Sequence, residues 1–272
     1  MLKPRMHLKK YLVTSGCSFT DSSSRLTATW AVHLRDSTGL LLSNYGLSSS
    51  GNGLIYRQTM YGVDKLLSEG VNPKEILVGV MWSGANRHEI FTTEDSNFLL
   101  RKIANYCNLD TYDREPQELK GLRNPYKFVP DSVGQWIIQN ANWPDVLSQL
   151  TTQINCGVSG IVLTYEKILA LQYYLESVGV DYFFTSFLGH GTFPLGKDNL
   201  PADISWMHKL VDWEKWLPID GQFDWCYDRG IKYYGPEGIL TGKSDAKHPL
   251  SEHHKMFTEE VILPHLQKRK LI

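Results

Sequence analysis

An α/β fold, with a parallel sheet carrying helices on both faces, is predicted by three features of the chain. From Lys10 to Met81, short apolar runs alternate with segments of helical spacing. The connections between them are short, as β-α-β-α-β units require. The most strand-like run, Ile76-Leu77-Val78-Gly79-Val80-Met81, is apolar throughout, as a strand covered on both faces should be.

Residues 10–15 read as the first strand, stopped by Gly16. Ser18 follows, and Asp21 to Ser24 lead into a helix with Ser23 or Ser24 as N-cap. Leu26, Trp30, Ala31 and Leu34 share one helix face, and Gly39 ends it. Residues 40–45 form a short second strand, and 46–53 a polar connector. A second helix runs from about Leu54 to Ser68, with Ile55, Met60, Val63, Leu66 and Leu67 inward. Glu75 to Met81 is the third strand, ending in Trp82-Ser83-Gly84-Ala85-Asn86-Arg87. Regularity then stops. Residues 91 to about 157 are polar and aromatic, with prolines at 116, 125, 130 and 144, and read as an insertion or lid of short helices and loops. A long amphipathic helix starts at Ser159 and ends at Gly179, with Ile161, Val162, Tyr165, Ile168, Leu169, Gln172 and Leu175 on one face. Val180 to Phe187 is the fourth strand, and 188–243 is loop-rich. Ser251 to about Gln267 is a terminal helix with Phe257, Val261, Ile262 and Leu266 inward. With no internal repeat, residues 1–272 read as a single domain carrying that insertion.

Formal net charge is -1 over 272 residues, so no global field draws the chain to nucleic acid or an anionic membrane. No apolar run has the length of a membrane span, and the basic N-terminus leads into no long apolar segment. Cys17, Cys107, Cys156 and Cys226 lie far apart, with neither zinc spacing nor a disulfide framework, and read as reduced thiols in a cytoplasmic protein. No metal or cofactor motif is present: there is no P-loop, dinucleotide fingerprint or zinc spacing. Many of the 14 Tyr and 8 Trp fall between Tyr106 and Tyr234, which reads as core packing or as a platform for sugar rings.

Ser18 lies just past the carboxyl end of the first strand, where α/β sheets present ligand-binding groups. It reads either as a helix cap or as a nucleophile awaiting a base. Asp245-Ala246-Lys247-His248-Pro249 supplies a base and a carboxylate to orient it, His248 taking a proton and Asp245 holding its Nδ1–H. Pro249 reads as the opening residue of the terminal helix. Asn86, after the third strand, reads as an oxyanion donor or a turn residue. The Ser48-Ser49-Ser50-Gly51-Asn52 stretch offers backbone N–H donors or is a plain connector. Trp82 packs under this region or lines it for substrate, and Arg87 and His190 are further substrate-binding candidates. Arg87, His88 and Glu89 together also read as a salt-bridged helix start. His253 and His254 read as solvated.

Taken together, Gly16-Cys17-Ser18, Ser49-Ser50-Gly51-Asn52, Gly84-Ala85-Asn86 and Asp245-Ala246-Lys247-His248 resemble the four sequence blocks of the SGNH/GDSL hydrolase superfamily. The resemblance implies a flavodoxin-like three-layer α/β/α sandwich and hydrolysis of a carboxylic ester without metal or cofactor. It implies Ser18, His248 and Asp245 as a triad, with an oxyanion hole formed by the Ser18 N–H, a second-block N–H and the Asn86 side chain. Cys17 stands where the family usually has Asp. The second-block donor is Gly51, with Ser49 as its rival.

The expected function is therefore cleavage of an O-acyl group from a carbohydrate or other small polar ester. Acyl transfer by the same residues is the alternative within enzymes. A non-catalytic carbohydrate-binding module on the same fold is the alternative outside them. A nucleotide- or phosphate-binding flavodoxin-like protein rests only on the polar loop after the second strand.

Overall fold

A computed structural model of the chain describes residues 9–22, 28–48, 50–85, 87, 89–92, 135–138, 158–188, 205–231 and 248–272. Four strands build the main sheet: β1 (Tyr11–Gly16), β2 (Leu41–Asn44), β3 (Ile76–Trp82) and β6 (Asp181–Ser186). All neighbours are parallel, in the order β2-β1-β3-β6. Tyr11 pairs with Leu41 on one side and Ile76 on the other, and Leu77 pairs with Asp181. The order reverses between β1 and β3. Doubly wound folds bind ligands at the carboxyl ends of the strands that flank such a reversal.

Strand alternation sends side chains into two cores. Val13, Val78, Val80, Trp82 and Phe184 face α2 (Asn52–Ser68) and α3 (Val158–Ser177). Leu12, Leu77, Met81 and Phe183 face α1 (Trp30–Thr38), α5 (Gln222–Asp228) and the terminal helix. The result is a three-layer α/β/α sandwich. Gly79 is required in the centre of β3, because a Cβ there would sit 2.6 Å from the Phe183 ring, which packs edge-on to Trp30.

The first helix starts at Trp30 with Thr29 as N-cap, not at Ser23 or Ser24. Ser23, Ser24 and Leu26 lie outside the described residues. The Thr20 carbonyl accepts from Thr29 Oγ1 (3.0 Å) and Asn44 Nδ2 (2.8 Å), which ties the turn after β1 to the N-cap of α1 and to the end of β2. Residues 18–20 form a single turn. Gly39 ends α1 at φ 72°, as expected.

Residues 91–157 were expected to hold only short helices and loops. Instead, β4 (Glu89–Thr92), at the start of that stretch, pairs antiparallel with β5 (Gln135–Ile138) within it, and the rest lies outside the described residues. Within 188–243, two short helices occur where loops were expected: α4 (Ser205–Leu210) and α5. Trp216 bridges to Phe184 beside β6, and the Leu217 N–H donates to the Phe184 carbonyl (2.9 Å). The terminal helix begins at Ser251 with Leu250 as N-cap, so Pro249 lies ahead of the cap and not at the first helical position. It runs as α6 (Ser251–Phe257), a π segment (Thr258–Ile262) and α7 (Leu263–Lys268). The widening sits just before Pro264, whose ring would clash with the Glu260 carbonyl in a regular helix. No helix among the described residues is long and apolar enough to cross a membrane.

Candidate active site

The Ser18 turn is built by its neighbours in sequence. The Cys17 carbonyl accepts from the N–H groups of Thr20 (2.8 Å) and Asp21 (3.0 Å), so the chain folds back immediately after β1. Thr20 Oγ1 accepts from Trp30 Nε1 (3.0 Å), anchoring the turn to α1. Cys17 is fully buried in the apolar core with Trp30 and Phe183, and its thiol is free. Ser18 is 6% exposed, and its Oγ lies 2.7 Å from His248 Nε2, across 230 residues of sequence.

His248 reaches Ser18 because the terminal helix docks on α1 and α5. His33 Nε2 meets Ser251 Oγ at 3.0 Å, and Thr258 Oγ1 donates to the Trp30 carbonyl (3.3 Å). His254 is 2% exposed and bonded to Gln222 Nε2 at 2.8 Å, which corrects its reading as solvated. His253 Nδ1 accepts the Leu250 N–H (3.2 Å) and caps the helix. Phe19 supports His248 from the side, with ring centres 5.1 Å apart.

The second-block loop is laced to the first. Asn44 Oδ1 accepts from Thr14 Oγ1 (3.0 Å) and the Gly46 N–H (2.9 Å), while its Nδ2 holds the Thr20 carbonyl. The Leu47 N–H donates to the Gly16 carbonyl (3.0 Å). Asp21, fully buried, accepts from the Ser48 N–H (3.0 Å) and Ser48 Oγ (2.8 Å). Gly46 has to be glycine here, because a Cβ would lie 2.7 Å from the Thr20 backbone carbonyl carbon. This loop ends at Gly51, the N-cap of the 17-residue helix α2, so the Gly51 N–H lies where a helix leaves donors unsatisfied.

Asn52 links that helix start to the end of β3. The Ser83 N–H donates to Asn52 Oδ1 (2.7 Å), and Asn52 Nδ2 donates to the Ser83 carbonyl (3.0 Å) and Thr164 Oγ1 (3.0 Å). The Arg87 N–H then closes a turn on the Gly84 carbonyl (3.1 Å). Sequence reading gave no role to the side chains of Asn52, Asp21, Asn44 or Phe19. The available signal was their place at the end of the second expected strand (Asn44) or in the loops that follow the first two (Phe19, Asp21, Asn52), where side chains tie loops together.

Of the expected site residues, the structure joins Ser18 to His248 and places Gly51 at the start of α2. Trp82 is fully buried, edge-on to Phe184, so it packs under the site and is closed to a substrate. Arg87 is partly buried, with its guanidinium 5.0 Å from the Phe187 ring centre. Ser49, Asn86, His190 and Asp245 lie outside the described residues.

A serine hydroxyl in hydrogen-bonding contact with an imidazole nitrogen can lose its proton to that nitrogen as it attacks an electrophile, provided the imidazole carries its own proton on Nδ1. No family model and no curated protein sequence matches the chain. A crystal structure of the protein YxiM from Bacillus subtilis aligns with 96% of this chain at 11% identity and a TM-score of 0.45. The chain spans 57% of the length of that protein.

Proposed function

We propose that this chain is a serine hydrolase that cleaves a carboxylic ester through an acyl-enzyme. The observation that carries the reading is the 2.7 Å contact between Ser18 Oγ and His248 Nε2. Ser18 Oγ attacks the acyl carbon as His248 Nε2 takes its proton. The tetrahedral oxyanion is met by N–H donors at the Ser18 turn and the start of α2. Asn86 is the third donor on the sequence resemblance. Removing one such donor typically costs roughly 3–4 kcal/mol of transition-state stabilisation. His248 then protonates the leaving alcohol, and water repeats the sequence in reverse to release the acid. Asp245 orients His248 on the same resemblance.

The buried thiol of Cys17 supports Ser18 over its neighbour as the attacking group. The serine–imidazole contact favours catalysis over a carbohydrate-binding module, because binding a sugar needs no activated hydroxyl. The substrate class is a small polar ester such as an O-acylated carbohydrate. The free, buried thiol of Cys17 fits a reducing, cytoplasmic setting.

Hydrolysis of p-nitrophenyl acetate tests the reading. Ser18→Ala and His248→Ala are each expected to lower kcat by at least about 10³-fold. Cys17→Ser is expected to keep most of the activity. Activity that follows Cys17, or survives in Ser18→Ala, contradicts the proposal.

A further inference from the structure

We infer that Arg87 is a recognition residue for a carboxylate or phosphate group on the substrate, so that the natural ester is anionic. The inference rests on the hydrolase reading above and names its substrate class.

Arg87 follows the carboxyl end of β3, beside the switch point where a doubly wound sheet binds ligands. Three ring contacts connect its guanidinium to the serine–histidine pair. Its Cζ lies 5.0 Å from the Phe187 ring centre, Phe187 lies 5.2 Å from Phe19, and Phe19 lies 5.1 Å from His248. Phe187 is itself fixed at this end of the sheet, its N–H donating to the Trp82 carbonyl (3.1 Å).

Arg87 has no counter-ion among the described residues. Its Nη1 is sealed from solvent and has no hydrogen-bond partner among the described residues. The salt-bridged helix start expected from Arg87-His88-Glu89 does not form, since Glu89 opens strand β4 and Arg87 makes no ion pair among the described residues. At the opposite, amino ends of the strands, Lys9 is paired with Asp181 and Lys10 with Glu75. A buried guanidinium N–H without an acceptor is unfavourable for the free protein. That state is useful only when an acceptor arrives, and a planar guanidinium fork matches a carboxylate or phosphate. Stacking on Phe187 holds the cation in place without consuming its N–H donors.

The test compares matched acetyl esters on the full-length protein. They are 4-acetoxybenzamide (neutral), 4-acetoxybenzoate (carboxylate) and 4-acetoxyphenyl phosphate. A second pair, p-nitrophenyl butyrate and mono-p-nitrophenyl glutarate, places the charge on the acyl side. Wild type is expected to prefer at least one anionic ester by about 10-fold or more in kcat/KM, the scale of a charged hydrogen bond. In Arg87→Gln that anionic-to-neutral ratio should fall by about 10-fold or more, and Arg87→Lys should restore part of it. The benzoate and phosphate arms tell which oxyanion is recognised. A wild type without anionic preference, or a ratio unchanged in Arg87→Gln, overturns the inference and leaves the hydrolase reading standing. The wild-type ratio decides even if a variant fails to fold. If wild type hydrolyses none of the esters and a fluorophosphonate does not label Ser18, the hydrolase reading fails and the inference falls with it.

Discussion

Asn52 makes a specific prediction at the scale of single residues. Its side chain joins both backbone groups of Ser83 to the first turn of α2, next to Gly51. It therefore sets the separation between the second-block N–H and the Gly84-Ala85-Asn86 loop, the two parts that the proposed oxyanion hole draws from different elements. Asn52→Asp keeps the acceptor for the Ser83 N–H but turns a donor into an oxygen facing the Ser83 carbonyl. The expected result is a kcat lower by about 10²-fold with KM little changed, because misplacing a preorganised donor acts on the transition state. The rate of fluorophosphonate labelling should fall in step. Thr164→Val, which removes only the bond to α3, should act mainly on stability. Asn52→Asp with normal kcat and a lowered Tm would make Asn52 structural only. Part of this residue-level picture was legible in the sequence. Ser18 and His248 stood out by chemistry and position, but Asn52 and Asp21 did not. A buried Asn and a surface Asn are written with the same letter, and only the packed loops distinguish them.

The terminal helix carries a pH-dependent prediction at the scale of elements. His265 on α7 is held well below the usual imidazole range, at about 4, by burial first and then by the nearby charges of Arg269 and Lys268. Its Nε2 lies 3.4 Å from Arg269 Nη1, a contact open only to the neutral ring. The folded state thus resists protonation that the unfolded chain accepts near pH 6.5. The stability associated with a neutral His265 is complete above pH 6.5 and is lost as pH falls from there to about 4. After allowance for its partial exposure, the loss is about 1–2 kcal/mol. His265→Gln should remove that slope, as read from urea unfolding of both proteins at pH 7 and pH 4.5. Equal slopes would contradict it. This helix also shows where reading by element stopped. Its inward residues Phe257, Val261, Ile262 and Leu266 are all buried as their spacing predicts. The π segment was not read, because a spacing template does not register the clash that Pro264 imposes one turn earlier.

Across the whole molecule, the site is a product of topology. The order β2-β1-β3-β6 brings the ends of β1 and β3 together. The terminal helix then returns the last segment of the chain to the first. Phe257, fully buried against Trp225 at 5.4 Å, is central to that docking. Phe257→Ala should cost about 3–5 kcal/mol in denaturant unfolding. It should also lower kcat at temperatures where the variant stays folded, because His248 lies just ahead of this helix. A variant that loses stability at unchanged kcat would show that His248 is placed independently of the helix. The parallel sheet was legible because strands covered on both faces are continuously apolar, as Ile76 to Met81 are. The helices α4 and α5 were not, because six or seven residues are too few to display a period. His254 was misread for a related reason: the residue that covers it, Gln222, lies 32 positions away on α5.

The most direct measurement is fluorophosphonate labelling of wild type, Ser18→Ala and Cys17→Ser, with the modified residue mapped by mass spectrometry. The account predicts one adduct, on Ser18, in wild type and Cys17→Ser, and none in Ser18→Ala. An adduct on any other residue, or an unlabelled wild type that also fails to hydrolyse p-nitrophenyl acetate, would contradict it.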